Sequence, residues 1–378
     1  EPGALLLCGS EIEAVGTPES IGVIDGCPAV ACSEEAILPG LVNAHCHLDL
    51  SSLGPIGCEG GFSDWIRKII DGRAKTPEMI RQATQVGVEM ALKGGTVAVG
   101  DIAGIGSWAP YEVLAASVLR GRSYIEVFGI GPREAAGVEA IKAIQERAEG
   151  SQDQEVGVGI SPHAPYTCSP RLFQVAAASG LPVASHVAET LEEIEFCTSG
   201  SGSFVPMLQG LGIDVKGDME WGGHPFDVCE TLFDGGWVIA HGTYPLNEEQ
   251  PRIERLAARG ATVAYCPRAT AFFGHASHPW RAYLAAGVPV ALGTDGLPCL
   301  ETPERISVLD EIRWLLKHDG ASLAEVLPMA TTVGAKAVGL DPSLVDLQPG
   351  SSAGIIRVDV SGAGAPEWIV PPEGNSGR

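Results

Sequence analysis

Short apolar runs alternate with longer helix-patterned segments eight times, and this alternation limits the possible folds more than any other feature of the chain. The runs cover 37–44, 96–101, 124–128, 156–161, 181–186, 237–241, 262–266 and 289–295, with helical patterns such as 78–93, 134–149, 170–179 and 247–259 between them. A strand that must be buried on both faces reads as a continuous apolar run, and a helix between two such runs makes them parallel neighbours. Eight units of this kind fit an α/β fold of the (β/α)8 barrel type. A doubly wound open sheet is disfavoured because no Gly-x-Gly-x-x-Gly opens a helix after the first strand. Outside the barrel, residues 4–36 and 353–370 carry short apolar pieces separated by Gly, Pro and acidic residues. The expected division is therefore a small β-sandwich built from 1–36 and 341–378 and a catalytic barrel over 37–340, with 371–378 loose.

Polar residues fall at the ends of these runs. The first run leads into His45-Cys46-His47, and strand alternation points His45 and His47 the same way. Two neutral imidazoles converging from one strand make half of a metal site. Asp101, His163, His186, His241 and Asp295 stand at or just beyond the ends of other runs, where barrels of this type assemble their chemistry. Glu189 follows His186 by three residues, close enough to move protons for a hydrolytic site. A buried Asp at a strand end is costly unless it is paired or bound to a cation, which makes Asp295 a further ligand candidate.

Composition narrows the partners. The chain of 378 residues has a formal net charge of −23, which repels nucleic acid and anionic membranes. A small molecule is the expected partner, and a homo-oligomer is compatible with this reading. The 10 cysteines show no Cys-x-x-Cys pair, which argues for a reducing cytoplasm over a disulfide framework. The same absence excludes the signature of the small zinc nucleobase deaminases. No apolar stretch reaches the roughly 18 residues of a membrane-spanning helix.

The segments Leu38-Pro39-Gly40-Leu41-Val42-Asn43-Ala44-His45-Cys46-His47, Ser185-His186-Val187-Ala188-Glu189, Ala240-His241-Gly242 and Gly293-Thr294-Asp295-Gly296 together resemble the amidohydrolase superfamily. Within it they are similar to the branch of nucleoside, purine and triazine deaminases and chlorohydrolases. The resemblance implies one divalent metal, Zn²⁺ first and Fe²⁺ as the alternative, held by His45, His47, His186 and Asp295. It also implies that Glu189 transfers protons, helped by His241 and Asp295. Binuclear relatives use a Lys at the end of the fourth strand, and 156–165 contains none.

Gly61-Phe62-Ser63-Asp64-Trp65-Ile66 and Cys266-Pro267-Arg268 with Phe272-Phe273-Gly274-His275 resemble the aminodeoxyfutalosine deaminases of menaquinone biosynthesis. Relatives of those enzymes accept methylthioadenosine, adenosylhomocysteine or adenosine. The implied activity is hydrolytic deamination of an aminated purine nucleoside. His163, Trp65 and Arg268 are the expected substrate contacts, Trp65 by stacking and Arg268 by binding a carboxylate. Ala269-Thr270 and Gly296 depart from the branch's usual residues and leave the substrate open. The alternatives are a triazine-type chlorohydrolase or cyclic amidohydrolase, a guanine deaminase, and a barrel that binds without catalysis.

Overall fold

The computed structural model describes residues 3–373 except 33, 151–154, 215–220, 230–231, 233–235, 246–248, 360–361 and 363. Its central sheet contains strands β1 (Leu41–His47), β2 (Thr96–Ala103), β3 (Arg120–Val127), β4 (Val156–Pro162), β5 (Val183–Val187), β6 (Trp237–His241), β7 (Thr262–Tyr265) and β8 (Val290–Leu292). Successive strands pair in parallel, each with the next. Closure comes from one stretch of chain. β8 pairs with β7, and Asp295–Gly296 just beyond it pairs with Cys46 and His47 of β1. Between these pairings the Gly293 N–H donates to the Tyr265 carbonyl and the Thr294 N–H to the His45 carbonyl. The (β/α)8 barrel expected from the sequence is therefore present.

The helices start where the sequence supplies caps. Thr76 and Ser169 accept the N–H groups of Met79 and Leu172, and Pro77 and Pro170 sit in the first turn, where a missing N–H costs nothing. The helix expected over 247–259 runs Glu249–Arg259, its first two residues lying outside the described ones, as do 374–378 of the tail. Small apolar residues from successive strands (Val42, Ala44, Ala98, Ala184, Val238, Ala264) pack with the helix Thr332–Val338. Larger side chains fill a second and more extensive apolar cluster.

Two small antiparallel sheets flank the barrel. One joins Ala4–Cys8, Glu11–Gly16 and Gly350–Ser351, and the other joins Glu35–Pro39, Ile355–Asp359 and Glu367–Val370. Ile12 of the first meets Ile355 and Val370 of the second, with Leu5, Leu7, Ile37 and Ile369 around them.

The run read from the sequence as one strand leading to His45 is two. Residues up to Pro39 pair in the small sheet, and Leu41 onward belongs to β1. Gly40 is the joint: its N–H donates to the Gly354 carbonyl at 2.8 Å, while the Leu41 N–H turns to the Gly95 carbonyl at 2.9 Å. A Cβ on Gly40 would stand 2.2 Å from Val97 Cγ1, so only glycine lets the chain cross there. Periodicity cannot show this break, because both pieces are apolar. Among the described residues no helix is long and apolar enough to cross a membrane.

Gly121 in β3 has a φ of +110°, and a Cβ there would lie 2.2 Å from the Val99 carbonyl oxygen of β2. Gly121→Ala should therefore cost about 2 to 3 kcal/mol through strain and strand separation. A urea midpoint unchanged from that of the parent protein would show that β2 and β3 are not held this closely.

Candidate active site

The strand ends bring the sequence-predicted residues together. His45 and His47 come from β1, His186 from β5, His241 from β6, and Asp295 from the pair of residues that closes the barrel. The His45 ring lies 5.1 Å from His47, 4.9 Å from His186 and 5.3 Å from His241, centre to centre. Asp295 Oδ1 stands 3.4 Å from His47 Nε2 and 3.8 Å from His45 Nε2. Glu189 Oε1 stands 3.6 Å from His241 Nε2. Three overlapping trios each have ligand atoms within 4.8 Å of one another: His45–His186–His241, His45–His47–Asp295 and Glu189–His241–Asp295. The backbone is strained at these positions. Ala188, His241 and Asp295 have φ values of 55°, 66° and 60°, a left-handed conformation that side chains other than glycine rarely adopt.

The donor set fits a divalent cation. His45 Nδ1 and Nε2 and His241 Nε2 are buried with no hydrogen-bond partner among the described residues. His186 Nδ1 must donate to the His163 carbonyl at 2.8 Å, because a carbonyl only accepts, so its Nε2 lone pair faces His47 Nε2 at 3.2 Å. Burial drives His45, His47 and His241 well below the usual imidazole range and brings His186 down to about 4, which favours the neutral form of all four rings. Burial also raises Asp295 to about 6 and, aided by the charge of Asp295, lifts Glu189 well above the carboxylate range. Converging lone pairs without protons or counter-charges are costly by themselves, and a cation at their centre satisfies them.

Several residues support the site in ways that the sequence reading did not assign. Glu193 accepts the Ala188 and Glu189 N–H groups at 2.7 and 2.9 Å and clamps the turn that carries Glu189. Its position after Thr190, in the spacing of a capping box, was the available signal. His278 Nε2 donates to the His241 carbonyl at 2.6 Å and its ring stacks on Tyr265, so it braces the backbone behind the site. Cys299 Sγ lies 3.6 Å from Asp295 Oδ2. Asp101 accepts the Leu48 N–H at 3.0 Å, and burial raises its carboxyl to about 8. It supports the turn after β1 and does not line the pocket.

A pocket opens from this cluster. His47, His186, Glu189, His241 and Asp295 line one part, and Phe62, Trp65, Ile69, Met207 and Leu208 form an apolar wall. Trp65 is in that wall, with its indole N–H donated to the Ile56 carbonyl and its ring edge-on to Phe273. His163 also lines the pocket, with Nδ1 2.7 Å from Thr167 Oγ1. Glu126, Arg73 and Arg133 add charged groups to the lining, and the sequence reading had named none of them as site residues.

Arg268 does not reach the pocket, which corrects its assignment as a substrate contact. Its Nε donates to Glu311 Oε1 at 2.6 Å, and its backbone N–H donates to the other oxygen of the same carboxylate. Its Nη1 meets Thr302 and Glu301. The counter-charge lies 43 residues further along the chain and could not be seen from the local sequence.

Comparison with known proteins follows from this geometry. The sequence model of the amidohydrolase family matches residues 36–371. The chain is 29% identical over 346 residues to the 5-methylthioadenosine/S-adenosylhomocysteine deaminase of Natronomonas pharaonis, covering 85% of this chain and 73% of that one. It is 30% identical over 359 residues to the aminodeoxyfutalosine deaminase of Deinococcus radiodurans, covering 89% and 82%. Among solved structures, Helicobacter pylori aminofutalosine deaminase in complex with methylthio-coformycin superposes with a TM-score of 0.74 at 21% identity, covering 94% of this chain and 87% of that one. Atrazine chlorohydrolase from Arthrobacter aurescens TC1, complexed with zinc, gives 0.70 at 21% identity, covering 95% and 83%. These structural likenesses establish a shared fold.

The buried pairing of Arg268 gives a distinct expectation for its loss. Arg268→Met should destabilise the protein by about 3 to 5 kcal/mol, because it leaves the Glu311 carboxylate uncompensated. Chemical denaturation measures this. A variant as stable as the parent but with a raised KM would return Arg268 to the substrate.

Proposed function

Because the chain belongs to the amidohydrolase family, we propose that it is a metal-dependent aminohydrolase acting on an aminated purine nucleoside. It replaces the exocyclic amine by oxygen and releases ammonia. The leading substrates are aminodeoxyfutalosine, methylthioadenosine and adenosylhomocysteine, in keeping with what the relatives' names say of those proteins. The observation that carries this reading is the meeting of four neutral imidazoles, Asp295 and Glu189 beside a pocket with an apolar wall.

His45, His47, His186 and Asp295 are the residues to hold a divalent cation, with Zn²⁺ preferred and Fe²⁺ the alternative. Such a cation supplies Lewis-acid activation of a water nucleophile. The chain's own residues do the rest. Burial makes Glu189 a stronger base than an exposed carboxylate, so it takes the proton of the attacking water and, as an acid, delivers it to the ring nitrogen beside the reacting carbon. His241, 3.6 Å from Glu189, positions the water and the departing amine. A C–O bond forms, the remaining hydroxyl proton passes through Glu189 to the amine, the C–N bond breaks, and the nitrogen leaves as ammonia. The apolar wall excludes bulk water and gives a planar heterocycle a surface to lie against.

We place the enzyme in the cytoplasm. Cys46, Cys168, Cys266 and Cys299 are buried free thiols, which suits a reducing compartment.

Ammonia release from the metal-loaded protein tests the proposal, using aminodeoxyfutalosine, methylthioadenosine, adenosylhomocysteine, adenosine and guanine. Release of chloride from a chlorotriazine, with no ammonia from any purine, would replace deamination by halide hydrolysis on the same site. Glu189→Gln should keep its metal and lose roughly 100- to 10,000-fold in kcat. Parent-like turnover would remove Glu189 from the mechanism. Asp295→Ala should lose metal and activity together, as measured by elemental emission, and full metal content would exclude Asp295 as a ligand.

A further inference from the structure

Glu126 is a pocket residue that the deamination chemistry does not use. It is the penultimate residue of β3, only 3% exposed, and it lines the pocket together with His163. One carboxylate oxygen is fixed: Oε2 accepts the Ile105 N–H at 2.9 Å. That donor is aimed at a cost, because Ile105 is a β-branched residue with a φ of 53°, a conformation that such residues avoid. Gly104 and Gly106 flank it, and a Cβ on Gly104 would stand 1.8 Å from Arg73 Nη2, so this turn cannot easily relax.

The other oxygen is open. His163 Nε2 stands 3.9 Å from Oε1, beyond hydrogen-bond reach. The nearby Arg73 donates its Nη2 to Asp49 at 2.7 Å, so it lends Glu126 its charge but no hydrogen bond. An ionised carboxylate accepts about four hydrogen bonds, and the described residues supply this one with a single short contact. A buried acceptor held rigidly with its remaining lone pairs toward a pocket calls for donors on the ligand.

Its place along the pocket says which donors. The His163 ring neighbours both Glu126 and the imidazole cluster, with its centre 5.0 Å from that of His186 and its Nε2 3.9 Å from Glu126 Oε1. A two-ring heterocycle with its amino end at Glu189 and His241 therefore carries its substituent past His163 toward Glu126. We propose that Glu126 accepts hydrogen bonds from the sugar hydroxyls of the substrate, and so makes this site select nucleosides over free bases and over sugars lacking those hydroxyls. The proposal rests on the purine nucleoside reading given above and adds the residue that enforces it.

Binding, separated from turnover, tests it. In the metal-loaded Glu189→Gln protein, which leaves ligand intact, calorimetry compares methylthioadenosine with its 2′,3′-dideoxy counterpart. The hydroxylated compound should bind roughly 10- to 100-fold more tightly, the worth of hydrogen bonds to a charged acceptor. Adding Glu126→Gln should bring the ratio to within about threefold. The Ile105 N–H holds the amide oxygen in that variant, so its NH₂ group and not a carboxylate faces the sugar.

A ratio that survives Glu126→Gln, or equal binding of both compounds before that change, would overturn the proposal. The second outcome needs no Glu126 variant, so a folding defect in Glu126→Gln does not protect the idea. If the hydroxyl preference is present and Glu126-dependent while the parent enzyme deaminates neither compound, the deaminase reading fails and the role of Glu126 stands.

Discussion

The burial of four unprotonated imidazoles beside two carboxylates is the condition on which the rest of this structure depends. Each group loses its hydration, and among the described residues none bonds to either ring nitrogen of His45 or to Nε2 of His241. Such an arrangement persists only if the surrounding framework is rigid enough to hold it. The barrel supplies that framework by closure: the stretch 290–296 binds β7 with one end and β1 with the other. Asp295 sits at that seam, directly paired with Cys46 between the two β1 histidines. The carboxylate proposed to complete the ligand set therefore also stands where the ring of strands closes.

Around this centre the protein repeatedly uses groups that accept or donate in only one sense. The His163 carbonyl can only accept, which turns the lone pair of His186 inward. The His241 carbonyl takes the His278 proton, and the paired oxygens of Glu193 take two successive N–H groups behind Glu189. Each contact is modest by itself, at about 1 kcal/mol net. Together they remove the freedom of ring flips and loop rotations, which is what pre-organisation of a reacting site requires.

What could be read from the sequence divides along the range of the interactions. The strand–helix alternation is local, so eight strands and their barrel were legible, and the polar residues at strand ends marked His45, His47, His186, His241 and Asp295. The break at Gly40 was hidden because strands of two different sheets share one apolar run. Arg268 misled because its partner Glu311 is brought to it only by folding. Glu126 was in plain view inside the run 124–128, yet a charge in a buried strand has no meaning until its neighbours are known. Its fixing donor at Ile105 and its open side toward the pocket come from tertiary structure.

The joint at Gly40 also sets how the molecule carries load. The residues just before it are stitched to Ile355–Asp359, and the residues just after it end in His45 and His47. Only one residue separates a strand of the small sheet from the strand that presents His45 and His47. The small sheets therefore act as an anchor for the reacting centre: slack in one is transmitted along an extended, nearly inextensible strand to the other. Loosening at the periphery would be felt as misalignment at the centre before any part of the barrel itself unfolds.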